Sequence, residues 1–199
     1  MIEIRSINSS EPYKHFLRYY KMAIKKEQKS IDAINISSFN KNADEVFARY
    51  VNLKYIIDQQ WIFFSNYNSR KALDFNTHNQ ISASIYWNSI DVQIRIKAII
   101  KKTSNSFSNE HFKNRSAEKN ALAISSQQSN TIRSYEDVIK NYQETFKGEE
   151  SLHQRPSYWG GYAFTPYYFE FWEGEKFRLN KRNIYEKKHN NWQHFLLQP

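Results

Sequence analysis

The segments WGGY at 159–162, FEFW at 169–172 and RLNKR at 178–182 decide the fold of this chain. An aromatic run followed by polar residues spaced two apart predicts a pair of β-strands, because strand side chains alternate between faces with period two. The second strand would point three polar side chains to one face beside Trp172, where two fixed cations suit a flat, electron-rich ligand. These side chains are Arg178, Asn180 and Arg182.

The composition favours a β-rich interior. Aromatic residues make up 17% of the 199 residues and hydrophobic residues 40%, so the core must be built largely from Phe, Tyr and Trp. The chain has no apolar stretch near the ~20 residues that cross a bilayer, and residues 1–10 lack the apolar region of a signal peptide. We therefore expect a soluble, cytoplasmic protein that does not bind membranes.

Three features of the composition restrict the chemistry: the number of cysteines, the net charge and the number of glycines. The chain has no cysteine, so redox chemistry would need a bound organic cofactor rather than a thiol or an iron–sulfur cluster. Its net charge of +9 predicts anionic partners, which charge alone does not identify. The four glycines cannot form a dinucleotide-binding turn or a Walker loop, so Arg and Lys side chains would have to hold any phosphate.

Hydrophobic periodicity predicts a mainly β fold with a few peripheral helices, as in a closed or split antiparallel barrel. The pattern has no repeat and no linker, so residues 1–199 are predicted to form one domain, with an N-terminal helical region over 1–30 and the barrel over 31–199. Strands are predicted at 31–39, 47–57, 61–65, 81–87, 92–100, 161–172, 177–187 and 192–197, and helices at about 10–29, 109–124 and 134–146.

Three basic motifs are candidate anion sites, although each also fits a solvated surface. Arg49 and Lys54 have an odd separation on one predicted strand, which places them on opposite faces unless a bulge intervenes. Ser69 can cap a short helix whose first turn carries Arg70 and Lys71. On the helix predicted over 109–124, three basic residues at i, i+4 and i+8 share one face. These are His111, Arg115 and Lys119. The other histidines lack metal-ligand spacing, and no metal site is predicted.

Taken in order from about residue 31 onward, these motifs resemble the pyridoxine/pyridoxamine 5′-phosphate oxidase family. The resemblance implies a split β-barrel of antiparallel, Greek-key type that forms a homodimer with FMN at the subunit interface. It also implies a set of flavin contacts, several of them donated by the second subunit. These are Arg49, Tyr50, Val51, Asn52, Phe64, Ser65, Arg70, Lys71, Gln93, Gln128, Ser129, Trp172 and Arg182.

For the substrate, the resemblance implies that Lys54, His111, Arg115 and Lys119 grip its phosphate, while Arg178 and Asn180 form the catalytic end that covers its ring. Several positions depart from the family. His111 and Lys119 replace a tyrosine and a serine, each a neutral donor exchanged for a cation or potential cation. Asn180 replaces a histidine and cannot carry a proton near neutral pH. The family's N-terminal arm is expected to be absent or reduced to residues 1–9.

The implied activity is an FMN-dependent oxidase that uses dioxygen to convert pyridoxamine or pyridoxine 5′-phosphate to pyridoxal 5′-phosphate and hydrogen peroxide. Two alternatives stay open: an oxidase of another anionic dihydroaromatic ring, as in phenazine pathways, and a flavin- or pyridoxal-phosphate-binding protein with low turnover. A nucleic-acid-binding role rests only on net charge and surface aromatic residues, and no nucleic-acid partner is predicted.

Overall fold

The computed structural model describes residues 1–148 and 152–199. The five helices in these residues are α1 (Glu11–Lys25), α2 (Arg70–Thr77), α3 (Asn105–Lys113), α4 (Ala117–Ser125) and α5 (Tyr135–Lys147). The strands are β1 (Glu3–Ile4), β2 (Ala33–Asn40), β3 (Glu45–Asn52), β4 (Tyr55–Ile57), β5 (Gln60–Asn66), β6 (Gln80–Trp87), β7 (Val92–Lys102), β8 (Trp159–Glu173), β9 (Lys181–Lys188) and β10 (Asn191–Leu197). The predicted mainly β fold with peripheral helices is confirmed.

The strands form one sheet in the order β1-β4-β5-β8-β7-β6-β2-β3. Outside this order, β9 pairs with β8, and β10 pairs with β9. All pairs are antiparallel except β1 with β4, which is parallel. The first residues of the chain therefore extend the sheet. None of the described helices is both long and apolar enough to span a membrane.

Strand β8 changes neighbours along its length, and this change splits the barrel. Its first part pairs with β5 from Trp159 to Phe164, and its last part pairs with β9 from Tyr168 to Glu173. The opposite edge pairs with β7, whose register shifts between Lys97 and Ala98, opposite Pro166. Proline lacks the N–H that a ladder requires, and an extra residue in one strand bends it. The bend therefore gives β8 two different partners on the same edge.

Helix α1 closes one end of the sheet with aromatic side chains. Its buried residues recur at helical spacing, and the Phe16 ring lies 4.4 Å from that of Trp61, centroid to centroid. Trp61, Trp87, Phe169 and Phe171 are each at most 1% exposed. The aromatic core predicted from composition is therefore present, with isoleucines from β2, β6 and β7 filling the space between the rings.

Four predicted boundaries are wrong. The strand predicted over 47–57 is two strands, because the Leu53 and Lys54 amides donate to Asp32 and Ile62 in neighbouring segments. The helix predicted over 109–124 is two helices, with Ser116 at the start of the second.

The strand predicted from residue 177 begins at Lys181 instead, because residues 177 and 178 have φ near +60° in a 3₁₀ turn. Helix α1 ends at Lys25 rather than near residue 29, since Glu27 has φ 53°.

Gly160 lets β8 approach its neighbours closely. A Cβ there would lie 2.7 Å from Cζ of Tyr67, whose hydroxyl donates to the Gly161 carbonyl. We expect Gly160→Ala to lower the melting temperature by several degrees, because overpacking in a buried site costs about 1–3 kcal/mol.

The matched control is Gly148→Ala, where the nearest atom to an added Cβ is the Thr145 carbonyl oxygen at 3.6 Å, an ordinary contact. Thermal unfolding by circular dichroism compares the two variants. Equal melting temperatures for both would show that the close packing at Gly160 is unimportant.

Candidate functional site

One cavity of about 870 Å³ lies between β3, β5, the start of α2 and helices α3 and α4. Among the described residues that line it are six Lys and Arg side chains, one His side chain and no carboxylate. The predicted site residues in its wall are Arg49, Tyr50, Val51, Asn52, Lys54, Phe64, Ser65, Arg70, Lys71, His111, Arg115, Lys119, Gln128 and Ser129. The tertiary fold thus brings together segments that are up to 80 residues apart in sequence.

Lys71 is a buried cation at one end of this cavity. It is 7% exposed, and its ammonium lies 3.2 Å from the Ser65 hydroxyl and 3.3 Å from the Ser69 hydroxyl. Within residues 1–148 and 152–199 it forms no ion pair. Burial, followed by the charge of Arg49, lowers the pKa of Lys71 to about 8. A buried ammonium with only hydroxyl partners is suited to an anionic ligand.

Asp74, which sequence reasoning missed, orients the two arginines beside Lys71. Its carboxylate is fully buried on α2 and accepts hydrogen bonds from Ser38 at 2.6 Å and Asn40 at 3.0 Å. It also pairs with Arg49 at 3.2 Å and with Arg70 at 3.7 Å. A buried carboxylate is a weak signal in sequence, because Asp in a helix is usually exposed.

Arg70 is further neutralised by Glu45 at 2.8 Å, and its guanidinium lies 4.2 Å from the centroid of the Phe47 ring. Three cations, Arg49, Arg70 and Lys71, thus face two carboxylates, Asp74 and Glu45. Of these three cations, Lys71 is the one that forms no ion pair with the described residues. Ser69 stands at the predicted cap position of α2, but its hydroxyl donates to the Asn66 carbonyl instead of capping the helix.

Two residues from the loop after α4 close over the start of α2. The Gln128 side-chain oxygen accepts hydrogen bonds from the Ser65 hydroxyl at 3.2 Å and the Asn66 amide at 3.3 Å. The Ser129 hydroxyl accepts from the Arg70 amide at 3.3 Å. Both residues were predicted at the site from the resemblance alone, because the loop pattern carries no periodic signal.

Parallel rings line the middle of the cavity. The Phe64 and His111 rings stack at 3.6 Å between centroids, and Trp159 lies parallel to Phe64 at 5.3 Å. Trp159 was quoted for the fold but was not predicted at the site. A stack of this kind suits a flat ligand, because offset rings attract through dispersion and their quadrupoles.

A second cation, the half-buried Arg115, lies at the other end of the cavity. Its guanidinium covers the Trp159 ring at 4.4 Å, and one of its terminal nitrogens is buried without a hydrogen-bond partner among the described residues. Burial lowers the pKa of Arg115 to about 10. Lys54 and Lys119 line the same end, although Lys54 also contacts Asp32 at 3.3 Å. The arrangement is suited to a second anionic group.

The structure corrects two expectations about these cations. His111, Arg115 and Lys119 do not share one helix face, since they lie on α3, on the turn after it and on α4, but they still converge on the cavity. Arg49 and Lys54 were expected on opposite faces, yet both line the cavity because β3 ends at Asn52.

His111 is not a cation in this structure. Burial, followed by the charges of Arg115, Lys54 and Arg5, lowers the pKa of its imidazole to about 4. Its Nδ1 lies 2.7 Å from the Tyr55 hydroxyl. Near neutral pH the side chain is therefore a neutral hydrogen-bonding group, whereas the sequence suggested a potential extra charge.

The remaining predicted residues lie outside this cavity. Gln93, Trp172 and Arg182 are direct neighbours across β7, β8 and β9. Arg182 is held by the buried carboxylate of Glu170 at 2.8 Å. These three form what we call the C-terminal cluster.

Arg178 and Asn180 precede β9 in the 3₁₀ turn and the residues after it, not on one strand face with Arg182 as predicted. Arg178 is exposed, and the Asn180 side-chain oxygen accepts a hydrogen bond from the Glu175 amide at 3.1 Å. Asn180 therefore closes the turn that presents Arg178.

The cavity and the C-terminal cluster lie at opposite ends of β8. Trp159 lines the cavity and Trp172 belongs to the cluster, and thirteen residues of extended strand span about 40 Å along the chain. A ligand the size of a flavin cannot contact both groups within one chain. If both serve one ligand, they must come from different copies of the chain.

Comparison with known proteins agrees with this architecture. Residues 159–199 match the sequence profile of the pyridoxine 5′-phosphate oxidase C-terminal dimerisation region. The structure of PhzG from Burkholderia lata 383 in complex with tetrahydrophenazine-1-carboxylic acid superposes with a TM-score of 0.90 at 25% identity, covering 96% of this chain and 93% of that one. A pyridoxamine 5′-phosphate oxidase-related, FMN binding protein from Nostoc punctiforme, at TM-score 0.75 and 12% identity, shows the same fold. The fold is therefore the split barrel of these proteins.

Sequence relatives then define the family. A pyridoxine/pyridoxamine 5′-phosphate oxidase from Bordetella pertussis is 32% identical over 179 residues, which cover 89% of this chain and 84% of the relative. Another from Colwellia psychrerythraea is 33% identical over 172 residues, covering 84% and 77%. The chain belongs to the pyridoxine/pyridoxamine 5′-phosphate oxidase family, a family of oxidoreductases.

The burial of Lys71 has a measurable consequence for the ligand-free protein. Its pKa falls from 10.5 in the unfolded chain to about 8 in the fold, so the unfolded state binds the proton more tightly and burial of the charge costs stability near neutral pH. We expect Lys71→Met to raise the melting temperature at pH 7 by several degrees. The difference should shrink between about pH 8 and pH 10.5, where the folded protein's lysine is already neutral.

The exposed Lys119→Met, also in the cavity wall, is the control and should change the melting temperature little. The measurement is thermal unfolding of flavin-free protein across this pH range. A lower melting temperature for Lys71→Met at pH 7 would contradict the assignment of a strained buried charge.

Proposed function

We propose that the protein is an FMN-dependent oxidase that converts pyridoxamine or pyridoxine 5′-phosphate to pyridoxal 5′-phosphate with dioxygen, releasing hydrogen peroxide. The observation that carries the proposal is a pair of cations at two ends of one cavity, the buried Lys71 and the half-buried Arg115, which form no ion pair with the described residues and have stacked rings between them. A cofactor phosphate at one end and a substrate phosphate at the other would each supply the missing negative charge.

The residues present fit FMN. Lys71, Arg49 and Arg70, with the Ser65 hydroxyl, would hold its phosphate and the adjoining chain, while Gln128 and Ser129 close the loop over them. Residues 50–52 and Phe64 would lie along the flavin. Bound FMN would supply the redox chemistry, accepting a hydride from the substrate and returning the electrons to dioxygen.

The chain's own residues would bind and orient the substrate. Arg115, Lys54 and Lys119 would neutralise its phosphate, and His111 would add a neutral hydrogen bond. Arg178, together with Asn180, would cover the substrate ring from another copy of the chain. Holding the reacting carbon in place contributes through orientation, and closure over the ring excludes water.

We further propose a homodimer with shared sites, which the positions of the two groups at opposite ends of β8 support. Gln93, Trp172 and Arg182 would complete the flavin site of the partner chain, and a match to a dimerisation region over 159–199 supports this. The exposed side chains of Phe177 and Leu179, at 91% and 67%, flank Arg178 in the turn that would enter the partner's site.

Purified protein supplies the direct test. Its absorption spectrum reports bound flavin, and aerobic addition of pyridoxamine 5′-phosphate should produce hydrogen peroxide. A flavin-loaded protein that forms no peroxide with this substrate would reject the proposed reaction while keeping the cofactor.

The phosphate subsite predicts a preference for FMN over riboflavin. Losing one charge-assisted contact costs about 1.5–3 kcal/mol, so Lys71→Met should weaken FMN binding at least about tenfold. Arg70→Ala should also weaken it about tenfold or more, and Lys71→Met should cost more because Arg70 already has two carboxylate partners.

Fluorescence titration with both flavins measures these affinities, with Lys113→Ala outside the cavity wall as the control. Riboflavin affinity should change little in either site variant. Equal affinity of the wild type for FMN and riboflavin would remove the phosphate subsite.

Complementation between two defective chains tests the shared site. Lys71→Met damages the cavity end and Arg182→Ala the C-terminal cluster, so each homodimer has two defective sites. If the groups act across the interface, a mixed dimer carries both defects in one site and leaves the other intact.

Co-expressed, differently tagged chains should therefore regain FMN binding in the heterodimer, measured as flavin per dimer after tandem purification. A heterodimer without flavin would show that both groups act within one chain. A monomeric mass by light scattering with FMN fully bound would contradict the dimer itself.

A second oxidase reaction is favoured by one comparison. PhzG, at TM-score 0.90, is in complex with tetrahydrophenazine-1-carboxylic acid, a reduced aromatic acid whose carboxylate could occupy the Arg115 subsite. Under this alternative, a dihydroaromatic carboxylic acid should reduce the bound flavin anaerobically while pyridoxamine 5′-phosphate does not. If neither does so, the remaining alternative is a flavin- or pyridoxal-phosphate-binding protein with low turnover.

Asn180 should limit the reaction with pyridoxamine 5′-phosphate. General acid–base catalysis is typically worth about 10²–10⁴-fold, and an amide cannot provide it. We expect slow turnover by the wild type and a higher kcat for Asn180→His, whose Nδ1 can still accept from the Glu175 amide and keep the turn closed.

Asn180→Ala, which loses that hydrogen bond, is the control for a disordered turn and should lower kcat further. FMN affinity should be the same in all three proteins. Unchanged kcat/KM in Asn180→His would mean that asparagine is an equivalent substitute at this position.

A further inference from the structure

His111 presents two ring nitrogens to different surroundings. Its Nδ1 is 2.7 Å from the Tyr55 hydroxyl, at the start of β4, and its ring lies flat on Phe64 in the cavity wall. Its Nε2 has no hydrogen-bond partner within residues 1–148 and 152–199, so it is the nitrogen available to a ligand. Which nitrogen carries the proton decides whether the ligand meets a donor or a lone pair.

The Tyr55 hydroxyl fixes this choice. Among the described residues it has no hydrogen-bond acceptor other than His111 Nδ1. The nearby guanidinium of Arg5, 4.4 Å above the Tyr55 ring, can only donate. The phenol is 9% exposed, and burial raises its pKa, so it keeps its proton. Tyr55 therefore donates to Nδ1, and the imidazole proton must lie on Nε2.

We propose that Tyr55 is a positioning residue for the substrate anion: it holds His111 in the Nε2–H tautomer, so that a neutral N–H donor faces the anion bound by Lys54, Arg115 and Lys119. This role rests on the proposed function only for the identity of the anion. Without Tyr55, the ring could place its proton on Nδ1 and turn a lone pair toward the negative charge.

The surroundings of His111 favour such a neutral donor. Burial, followed by the charges of Arg115, Lys54 and Arg5, lowers the pKa of its imidazole, so the ligand-free subsite offers an arriving anion an uncharged ring. The first strand supports the arrangement, because β1 pairs with β4 with Glu3 opposite Tyr55, and Glu3 holds Arg5 at 2.8 Å. The N-terminal residues thus pack against Tyr55, which in turn contacts His111 in the cavity wall.

The first experiment reads the tautomer directly. In ¹⁵N-labelled, flavin-loaded protein, long-range ¹H–¹⁵N correlation spectra distinguish a protonated Nε2 from a protonated Nδ1, and His111→Gln identifies the signals. We expect the Nε2–H form in the wild type and a mixture of tautomers in Tyr55→Phe. The ring of phenylalanine keeps the contacts with Phe64 and Phe107, so the fold should persist.

The second experiment measures the anion. The dissociation constants of pyridoxine 5′-phosphate and of inorganic phosphate, by calorimetry, should each rise about tenfold in Tyr55→Phe, the effect of one hydrogen bond to a charged group. With substrate, KM should rise while kcat changes little. In a His111→Phe background, Tyr55→Phe should have no further effect, because the two residues act as a unit.

Tyr86→Phe is the matched control. It removes another tyrosine hydroxyl, bonded to Asp91 at 2.9 Å and outside the cavity wall, and should leave both dissociation constants unchanged. An unchanged tautomer in Tyr55→Phe, or additive effects of the two substitutions, would overturn the proposal. A third outcome is that the wild type does not bind pyridoxine 5′-phosphate, while Tyr55→Phe binds inorganic phosphate more weakly than the wild type does. That result would reject the proposed substrate and support the role of Tyr55.

Discussion

The change of partners along β8 is the constraint on which the site depends. A single strand pairs with β5 at its beginning and β9 at its end, and the register shift opposite Pro166 allows it. The same strand therefore carries Trp159 at the cavity and Trp172 in the C-terminal cluster. Because the strand is extended between them, the fold separates two groups that the family resemblance assigns to one flavin. Under the proposed function, a second chain would bring them together.

The cavity also shows how binding and stability oppose each other. Lys71 is buried and Arg115 is half-buried, and the described residues supply neither with an ion-pair partner, so each disfavours the ligand-free fold. A ligand that brings two anionic groups would relieve both at once, and the gain would appear as stabilisation on binding. Asp74 has the opposite role, since it neutralises Arg49 and Arg70 and fixes their geometry before any ligand arrives.

Two positions that depart from the family resemblance, His111 and Asn180, have local roles that the sequence did not indicate. His111 suggested extra positive charge in the sequence, but burial and the neighbouring cations keep its imidazole neutral. The position therefore carries a neutral hydrogen-bonding group. Asn180 similarly has a local role, closing the turn before β9, which no sequence pattern indicated.

The sequence by itself determined the β-rich class, the aromatic core, the capped helix at Ser134 and the positions of most basic groups, because these depend on local periodicity, composition and matched motifs. It failed at the break between β3 and β4 and at the turn before β9, where hydrogen bonds to distant segments and positive φ angles override strand propensity. Only the tertiary structure decided that Asp74 is buried, that His111 is uncharged and that the cavity and the C-terminal cluster lie at opposite ends of β8. Burial and proximity between distant segments set these properties, and neither is encoded in a local pattern.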